Sequence, residues 1–140
     1  MLNKTKIALT FFLFSLLLFL VACNSARNAD LEGSEWVLKS INDVSLPVEY
    51  TITLVFEENI ARSGGMCNNY SAGYGILRDN RIFITPKALS SRVCFDPPGF
   101  METEVAFIAV LGEVSRYERE GGELQLTTEL GDVLVFSEAP

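Results

Sequence analysis

Alternating apolar and polar residues dominate the chain after residue 30 and predict a domain built mainly of β-strands. In residues 51–57 the apolar side chains of Ile52, Leu54 and Phe56 occupy alternate positions, as they do in a strand with one buried face. Similar alternation or a short apolar run recurs in seven further segments: 34–41, 60–63, 73–78, 81–85, 115–120, 123–127 and 133–137. The pattern therefore predicts about eight short strands.

Turn-forming pairs separate several of these segments and predict hairpins. Asp79-Asn80, Gly121-Gly122 and Gly131-Asp132 each lie between two apolar runs. Glycine, asparagine and aspartate tolerate the positive φ angles that tight hairpin turns require. Strands joined in this way are antiparallel, so we expect an antiparallel sheet.

Residues 96–112 follow a different period and predict one amphipathic helix. Apolar residues recur there at three- and four-residue spacing: Met101, Val105, Ile108 and Leu111. Asp96 is the expected N-cap and Gly112 the expected end. The fold class that follows is mainly β: an antiparallel, incompletely closed β-barrel-like sheet of about eight short strands with one α-helix.

The first 22 residues have the pattern of an export signal. Lys4 and Lys6 give a positive start, and the predominantly apolar stretch 7–22 follows them. This stretch is shorter than the roughly 20 residues that a membrane-spanning helix needs. We therefore predict that residues 1–22 are a cleaved signal peptide.

The end of this stretch, Leu20-Val21-Ala22-Cys23, resembles the bacterial lipobox, in which small residues precede a cysteine that becomes the mature N-terminus. The resemblance implies that Cys23 carries a diacylglyceryl group and an acylated amine, such as a palmitoyl amide. Two or more acyl chains make release from a bilayer very slow. The alternative is a simple secretory signal cut nearby, with Cys23 an ordinary residue.

Residues 23–30 predict a lipidated N-terminus with a short tether, because the residues after Cys23 are small and polar. The remaining 31–140 form one domain. Asp often follows the cysteine in lipoproteins kept at the inner membrane, so Asn24 favours the periplasmic face of the outer membrane in a Gram-negative cell.

The charge and the lack of histidine exclude several functions. The chain carries 18 acidic and 11 basic residues, a net charge of −7, and no histidine. Such acidity disfavours nucleic acid and anionic headgroups as partners. Histidine-ligated zinc and Ser–His or Cys–His catalysis are excluded. No P-loop, GxSxG, EF-hand or CxxC motif occurs, so we expect no enzymatic activity, no cofactor and no metal site.

Two cysteines remain after lipidation. Cys67 and Cys94 would lie in an oxidising compartment, where a disulfide between them stabilises the fold by about 3–4 kcal/mol on the chain-entropy model. The alternative is a reduced, buried pair.

Several segments together resemble a known family. They are, in chain order, 31–38 (LEGSEWVL), 63–70 (SGGMCNNY), 90–94 (SSRVC), 101–107 (METEVAF), 124–126 (LQL) and 134–136 (LVF). This order resembles the META domain, also called HslJ-like, over about residues 31–137. The resemblance implies a small β-rich domain of bacterial envelope lipoproteins with no established enzymatic reaction. Members are linked to heat shock, novobiocin resistance, and motility or virulence-associated secretion, and some are compared with pilotins.

The segment 64–74 is the main candidate binding loop. Tyr70 and Tyr74 would offer stacking surface, and Asn68 and Asn69 would offer hydrogen-bond donors and acceptors. The alternative is a tight turn held by the cysteine at its centre, with Asn68 capping and both tyrosines packed on the sheet.

Charged residues supply weaker candidates. Glu104 could be a buried carboxylate of a functional site, or it could complete the first helical turn or pair with Arg92. Arg62, Arg78 and Arg81 could cluster with Arg92.

Three functions follow from these observations. The first is a lipid-anchored binding or escort module for an envelope protein or an apolar ligand, linked to envelope stress or antibiotic tolerance. The second is structural support under stress without a ligand. The third is an inhibitor of a lysozyme or protease, for which an exposed loop that inserts into an active site would be diagnostic. A filled barrel interior favours surface recognition, and an open interior favours a ligand.

Overall fold

The computed structural model describes residues 30–65 and 67–140. The predicted signal peptide 1–22, the lipidated Cys23 and the tether before residue 30 lie outside the described residues.

Nine strands and one helix form within the described residues. They are β1 (Glu35–Ile41), β2 (Val44–Ser45), β3 (Thr53–Glu57), β4 (Ile60–Gly64), β5 (Tyr70–Ile76), β6 (Ile82–Leu89), α1 (Phe100–Gly112), β7 (Val114–Glu120), β8 (Glu123–Thr128) and β9 (Val133–Glu138). The predicted mainly β composition with one helix is confirmed.

The strands form one curled antiparallel sheet. Its order is β6-β5-β4-β3-β1-β9-β8-β7, and the two-residue β2 pairs with β1 outside this path. The first and last strands of the order meet at a single bridge between Arg81 and Arg116, beside which the Tyr117 N–H donates to the Asn80 carbonyl oxygen at 2.9 Å. The helix α1 packs against β6 and β9. The prediction of an incompletely closed barrel is therefore confirmed.

Three predicted hairpin turns are also confirmed. Asp79 and Asn80, with φ of 57° and 55°, join β5 to β6. Gly121 and Gly122 join β7 to β8, and Gly131, with φ of 93°, lies in the turn from β8 to β9. Positive φ at these positions selects the residue types that marked the turns in the sequence.

Apolar side chains fill the concave side of the sheet. The largest fully buried ones come from the strands, the helix and the segments that precede β1 and β3: Trp36, Phe56, Phe107, Phe136, Leu31, Ile52, Leu54, Leu111, Leu124, Leu126 and Leu134. Phe107 of α1 meets Phe136 of β9 edge-to-face, with ring centroids 6.3 Å apart. Helix and sheet therefore share one core.

The N-terminal segment, residues 30–36, closes over part of this core. Leu31 is fully buried, and the Gly33 N–H donates to the Phe56 carbonyl oxygen at 2.7 Å. The Ser34 hydroxyl donates to the Leu31 carbonyl oxygen and accepts from Trp36 Nε1 at 2.7 Å. The run Leu-x-Gly-Ser-x-Trp thus forms a hydrogen-bonded turn that buries its two largest apolar side chains.

The helix begins later than predicted. It starts at Phe100 and its N-cap is Gly99, with φ of 83° and no side-chain cap. The expectation that Asp96 caps the helix is therefore wrong, because the backbone turns at Gly99 and glycine alone adopts that conformation without strain. The Tyr50 ring packs edge-to-face on Phe100 at 5.1 Å and fixes the start of the helix on the domain.

The predicted loop 64–74 is shorter than expected, because a strand occupies its second half. In β5 the inward side chains of Tyr70, Ala72 and Tyr74 are buried in the core. The outward positions include Gly75, whose open space is filled by the Phe83 ring of the neighbouring strand. The outward residues of β5 are thus serine and glycine, and the strand carries no charged side chain.

Candidate interaction surface

The loop between β4 and β5 is organised around Asn68. Its backbone N–H and its Nδ2 donate to the two carboxylate oxygens of Glu104 at 3.1 and 2.7 Å. Nδ2 also donates to the Arg92 carbonyl oxygen at 3.2 Å. Its Oδ1 accepts from the Ser90 hydroxyl at 3.0 Å and from the Arg92 N–H at 2.6 Å. Both ends of this buried amide are therefore satisfied by the protein itself.

A disulfide joins this loop to the loop 90–98, which lies between β6 and α1. Cys67 and Cys94 are bonded, with their Cα atoms 5.9 Å apart. The Cys94 N–H also points to Met101 Sδ at 3.3 Å, at the first turn of α1. We call Asn68, Ser90, Arg92 and Glu104, together with this disulfide, the Asn68 cluster. It fastens two loops to the helix.

Glu104 has a structural role in this arrangement. It is 3% exposed, and its oxygens accept both hydrogen bonds from Asn68. Arg92 contributes backbone atoms, and its guanidinium forms no ion pair with Glu104 among the ion pairs of the described residues. A buried carboxylate needs such partners, and Asn68 supplies them.

The two tyrosines of the predicted loop lie inside the barrel. Tyr70 and Tyr74 are each 3% exposed, and the Tyr74 ring packs edge-to-face on Phe56 at 4.8 Å. Burial raises the pKa of both phenols, and nearby Glu32 raises the pKa of Tyr74 further. Their hydroxyls have no hydrogen-bond partner among the described residues. The rings therefore offer no stacking surface to a partner, and only Asn69 of the four loop residues is exposed.

Two of the four arginines that the sequence suggested as a cluster pair with different glutamates. Arg62 pairs with Glu57 at 3.3 Å and Arg81 with Glu129 at 3.6 Å, and all four side chains are more than half exposed. Such exposed pairs contribute little to stability. Arg78 and Arg92 are exposed as well, so all four arginines are surface residues.

Exposed apolar side chains are the surface features most suited to contact with another molecule. In the loop 90–98, between β6 and α1, Val93 is 68% and Phe95 86% exposed. This loop is held at Cys94 by the disulfide, at Arg92 by Asn68, and at the Pro98 carbonyl oxygen by the Tyr50 hydroxyl. Sequence reasoning missed it, because nothing in the pattern shows which side of a loop faces solvent.

Two clefts flank the helix. The hairpin cleft, of about 420 Å³, is lined by Ile41, Val44, Leu46 and Pro47 on one side and by residues of α1 on the other. The turn cleft, of about 300 Å³, lies between the end of α1 and the β8–β9 turn, where Leu130 is 94% exposed. A third cleft, of about 480 Å³, lies over β4 to β6 and mixes Arg62 with hydroxyl and amide side chains.

Metal binding and membrane crossing by a helix each require a feature that can be checked in residues 30–65 and 67–140. No group of three or more histidine, cysteine or acidic side chains there is placed to hold a metal ion. In the same part of the chain, no helix has the length and apolar character needed to cross a bilayer.

Comparison with known proteins gives a family and a fold. The family model of the META domain matches residues 29–140. Among solved structures, a protein from Burkholderia xenovorans determined by NMR is 23% identical, with a TM-score of 0.63 over 80% of this chain and 86% of its own. A crystal structure of a DUF4847 family protein from Bacteroides vulgatus is 10% identical, with a TM-score of 0.60 over 79% and 95%. At these identities the likeness shows the fold alone. A search of curated proteins finds no match.

Proposed function

The chain belongs to the META domain family, and from this premise we propose that it is a lipid-anchored envelope protein that binds another protein through its outer surface. The observation that carries this proposal is the interior of the barrel, which large apolar side chains of sheet and helix occupy. Recognition is then left to the outside, where rigidly held apolar side chains are exposed. The META domain is not a known enzyme family, so we propose a non-enzymatic role.

The proposed anchor is Cys23. Its support comes from the sequence: a basic start, an apolar stretch and a tetrapeptide that resembles a lipobox. Acyl chains would hold an acidic domain at a membrane whose headgroups repel it. Mass spectrometry of the N-terminal peptide should find acyl groups on Cys23, and a Cys23→Ser variant should leave the membrane fraction. An unmodified thiol at this position would refute the anchor.

The proposed binding surface includes the loop 90–98. Three contacts hold the backbone of this loop, on which Val93 and Phe95 are exposed. The loop therefore loses little conformational entropy when a partner binds. A photo-crosslinking side chain at Phe95 in living cells should give a discrete adduct with an envelope protein. The matched control is the same side chain at exposed Thr85, on the outer side of β6, where no adduct is expected. Equal labelling at both positions would argue against a defined surface.

A stress role is the physiological part of the proposal. A deletion strain should become more sensitive to heat and to hydrophobic antibiotics. Complementation separates binding from support without a ligand: a Val93→Asp/Phe95→Asp variant, folded but altered on its surface, should fail to restore tolerance if binding matters. Full rescue by this variant would favour the structural role.

One observation favours a second function. An exposed loop whose backbone is fixed before binding is what an inhibitor of a lysozyme or protease needs to enter an active site. The loop 90–98 meets this condition, with exposed Arg92 and Val93 beside Cys94. Direct inhibition assays of the purified full chain on lysozymes and envelope proteases would test this role, and a Val93→Asp variant should lose any inhibition found.

A further inference from the structure

The outward side of α1 carries a stripe of exposed apolar side chains. Val105, Ala106 and Ala109 are exposed at the spacing of one helix face, and Val105 is 63% exposed. Glu102 lies one turn before this stripe and Glu113 one turn after it, both exposed. We call these five residues the α1 face. Its two carboxylates are separated by eleven residues, which is about 16 Å along a helix axis.

The two clefts widen this stripe on either side. The hairpin cleft presents Val44, 70% exposed, opposite Ala106, and the turn cleft presents Leu130, 94% exposed, beside Ala109. Small side chains at the centre of the face permit close approach of a second backbone, and larger apolar side chains flank it. A surface of this shape can accommodate the apolar face of another helix.

The charges around this surface have one sign. The charged residues that line the two clefts are all acidic: Glu102, Glu113, Glu129 and Asp132. Only Glu129 has a basic partner among the described ion pairs, and its contact with Arg81 is 3.6 Å long and exposed. An apolar surface bounded by carboxylates is complementary to an apolar segment bounded by cations.

We propose that the α1 face binds an amphipathic helical segment of a partner protein, with a small-residue or aliphatic face and a lysine or arginine near each end. This deepens the proposed function, on which it rests, by giving the partner's chemistry. A second copy of this chain fits poorly, because two α1 faces would bring like charges together. Anionic headgroups fit poorly for the same reason.

A synthetic peptide with the proposed chemistry tests the α1 face directly. The probe is an amphipathic helix of about four turns, with leucine and alanine along one face and lysines at both ends. It is titrated into the full chain held in phosphatidylcholine nanodiscs, and empty nanodiscs serve as the blank. The chain should bind this peptide and should not bind the version with glutamate in place of lysine. Failure to bind the lysine peptide would overturn the proposal.

Charge variants locate the site. Glu102→Lys/Glu113→Lys should weaken binding about tenfold, because both end carboxylates are reversed. The matched control, Glu118→Lys/Glu120→Lys on exposed positions of β7, changes net charge equally and should alter binding by less than about twofold. Equal weakening by both pairs would show attraction to net charge alone and would overturn the proposal.

An apolar variant separates contact from charge. Ala106→Asp adds a negative charge, so pure electrostatic attraction would strengthen peptide binding, whereas loss of the apolar contact should weaken it. Sedimentation of the full chain gives the remaining outcome: self-association that Ala106→Asp abolishes would assign the surface to a second copy. Crosslinking from Phe95 in cells does not depend on this face, so its success beside a failed titration would remove this inference alone.

Discussion

The N-terminal segment and the Asn68 cluster both fasten irregular chain onto the sheet, but by opposite means. The N-terminal segment buries Leu31 and Trp36, and its internal hydrogen bonds join residues two or three positions apart. The Asn68 cluster is polar and covalent, and its bonds span separations of 22 to 36 residues. The first fastening relies mainly on apolar burial, with the Gly33–Phe56 backbone bond in addition, whereas the second relies on long-range polar contacts and a disulfide.

This difference predicts how each region fails. Truncation of a buried apolar side chain in the N-terminal segment lowers the free energy of unfolding in proportion to the volume removed. A buried polar cluster loses stability when one partner is removed and the other remains without a hydrogen bond. Its cross-link acts differently again, because it restricts the unfolded chain. Substitutions in both regions can therefore be ranked by mechanism.

Removal of the disulfide should have the largest effect. Cys67→Ser/Cys94→Ser releases a loop of about 28 residues and should lower the free energy of unfolding by about 3–4 kcal/mol. Urea denaturation with and without reductant measures it. Reductant should lower the wild-type midpoint to that of the variant and should leave the variant unchanged. A wild-type midpoint that does not respond to reductant would show that the cross-link contributes nothing.

Leu31→Ala should be nearly as destabilising. Its side chain is fully buried, so truncation should cost about 3 kcal/mol through lost burial and a cavity. The matched control is Leu130→Ala, because Leu130 is 94% exposed and its truncation should change the unfolding free energy by less than about 0.5 kcal/mol. Similar losses in the two variants would mean that the N-terminal segment does not close the core.

The contrast between the two regions also explains what the sequence could predict. Alternation predicted the strands, and turn residues such as Asp79-Asn80 predicted hairpins, because both signals lie within a few residues of each other. The motif of residues 31–38 around Trp36 could be recognised in the sequence for the same reason. The Asn68–Glu104 contact was not, since a separation of 36 residues leaves no periodic trace.

The candidate binding loop shows the same limit. Composition identified the segment around Asn68 as a candidate, but the aromatic residues in it could face either side of a strand. The structure places Tyr70 and Tyr74 inside, because β5 begins at Tyr70 and its alternate residues face the core. Exposed Phe95 was not recognised, because the exposure of a loop residue depends on distant chain.

Glu104→Gln should have an intermediate effect. Both carboxylate oxygens accept hydrogen bonds from donors of Asn68, so the amide NH₂ of glutamine would face a donor. We expect a loss of about 1–3 kcal/mol in the free energy of unfolding. Glu102→Gln, two residues earlier in the helix and exposed, is the matched control and should be near neutral. A neutral Glu104→Gln would show that the Asn68 cluster tolerates an unpaired donor.

Ser34→Ala should cost less, because the N-terminal segment relies mainly on apolar burial. The hydroxyl accepts from Trp36 Nε1 at 2.7 Å, and its loss leaves this indole N–H unpaired in the core. The expected loss is about 1 kcal/mol, measured from urea midpoints. Ser34→Thr, which keeps the hydroxyl, should recover most of it. If the alanine and threonine variants have the same free energy of unfolding, the Ser34 hydroxyl does not stabilise this segment.

Tyr117→Phe should have the smallest effect at neutral pH and a distinct one at alkaline pH. The Tyr117 hydroxyl donates to Asp30 at 3.0 Å, and burial, followed by this hydrogen bond and the Asp30 charge, raises the pKa of Tyr117 to about 12. The unfolded phenol ionises near pH 10, so between about pH 10 and about pH 12 the unfolded state binds fewer protons than the folded state. Stability that is fully present below pH 10 is therefore lost across this window.

The phenylalanine variant should lose less stability between about pH 10 and about pH 12 than the wild type. Tyr70 and Tyr74, whose pKa values are also raised, leave part of the decline in place. Urea midpoints followed from neutral pH upward measure the difference, and parallel declines in both proteins would show that folding does not raise the pKa of Tyr117.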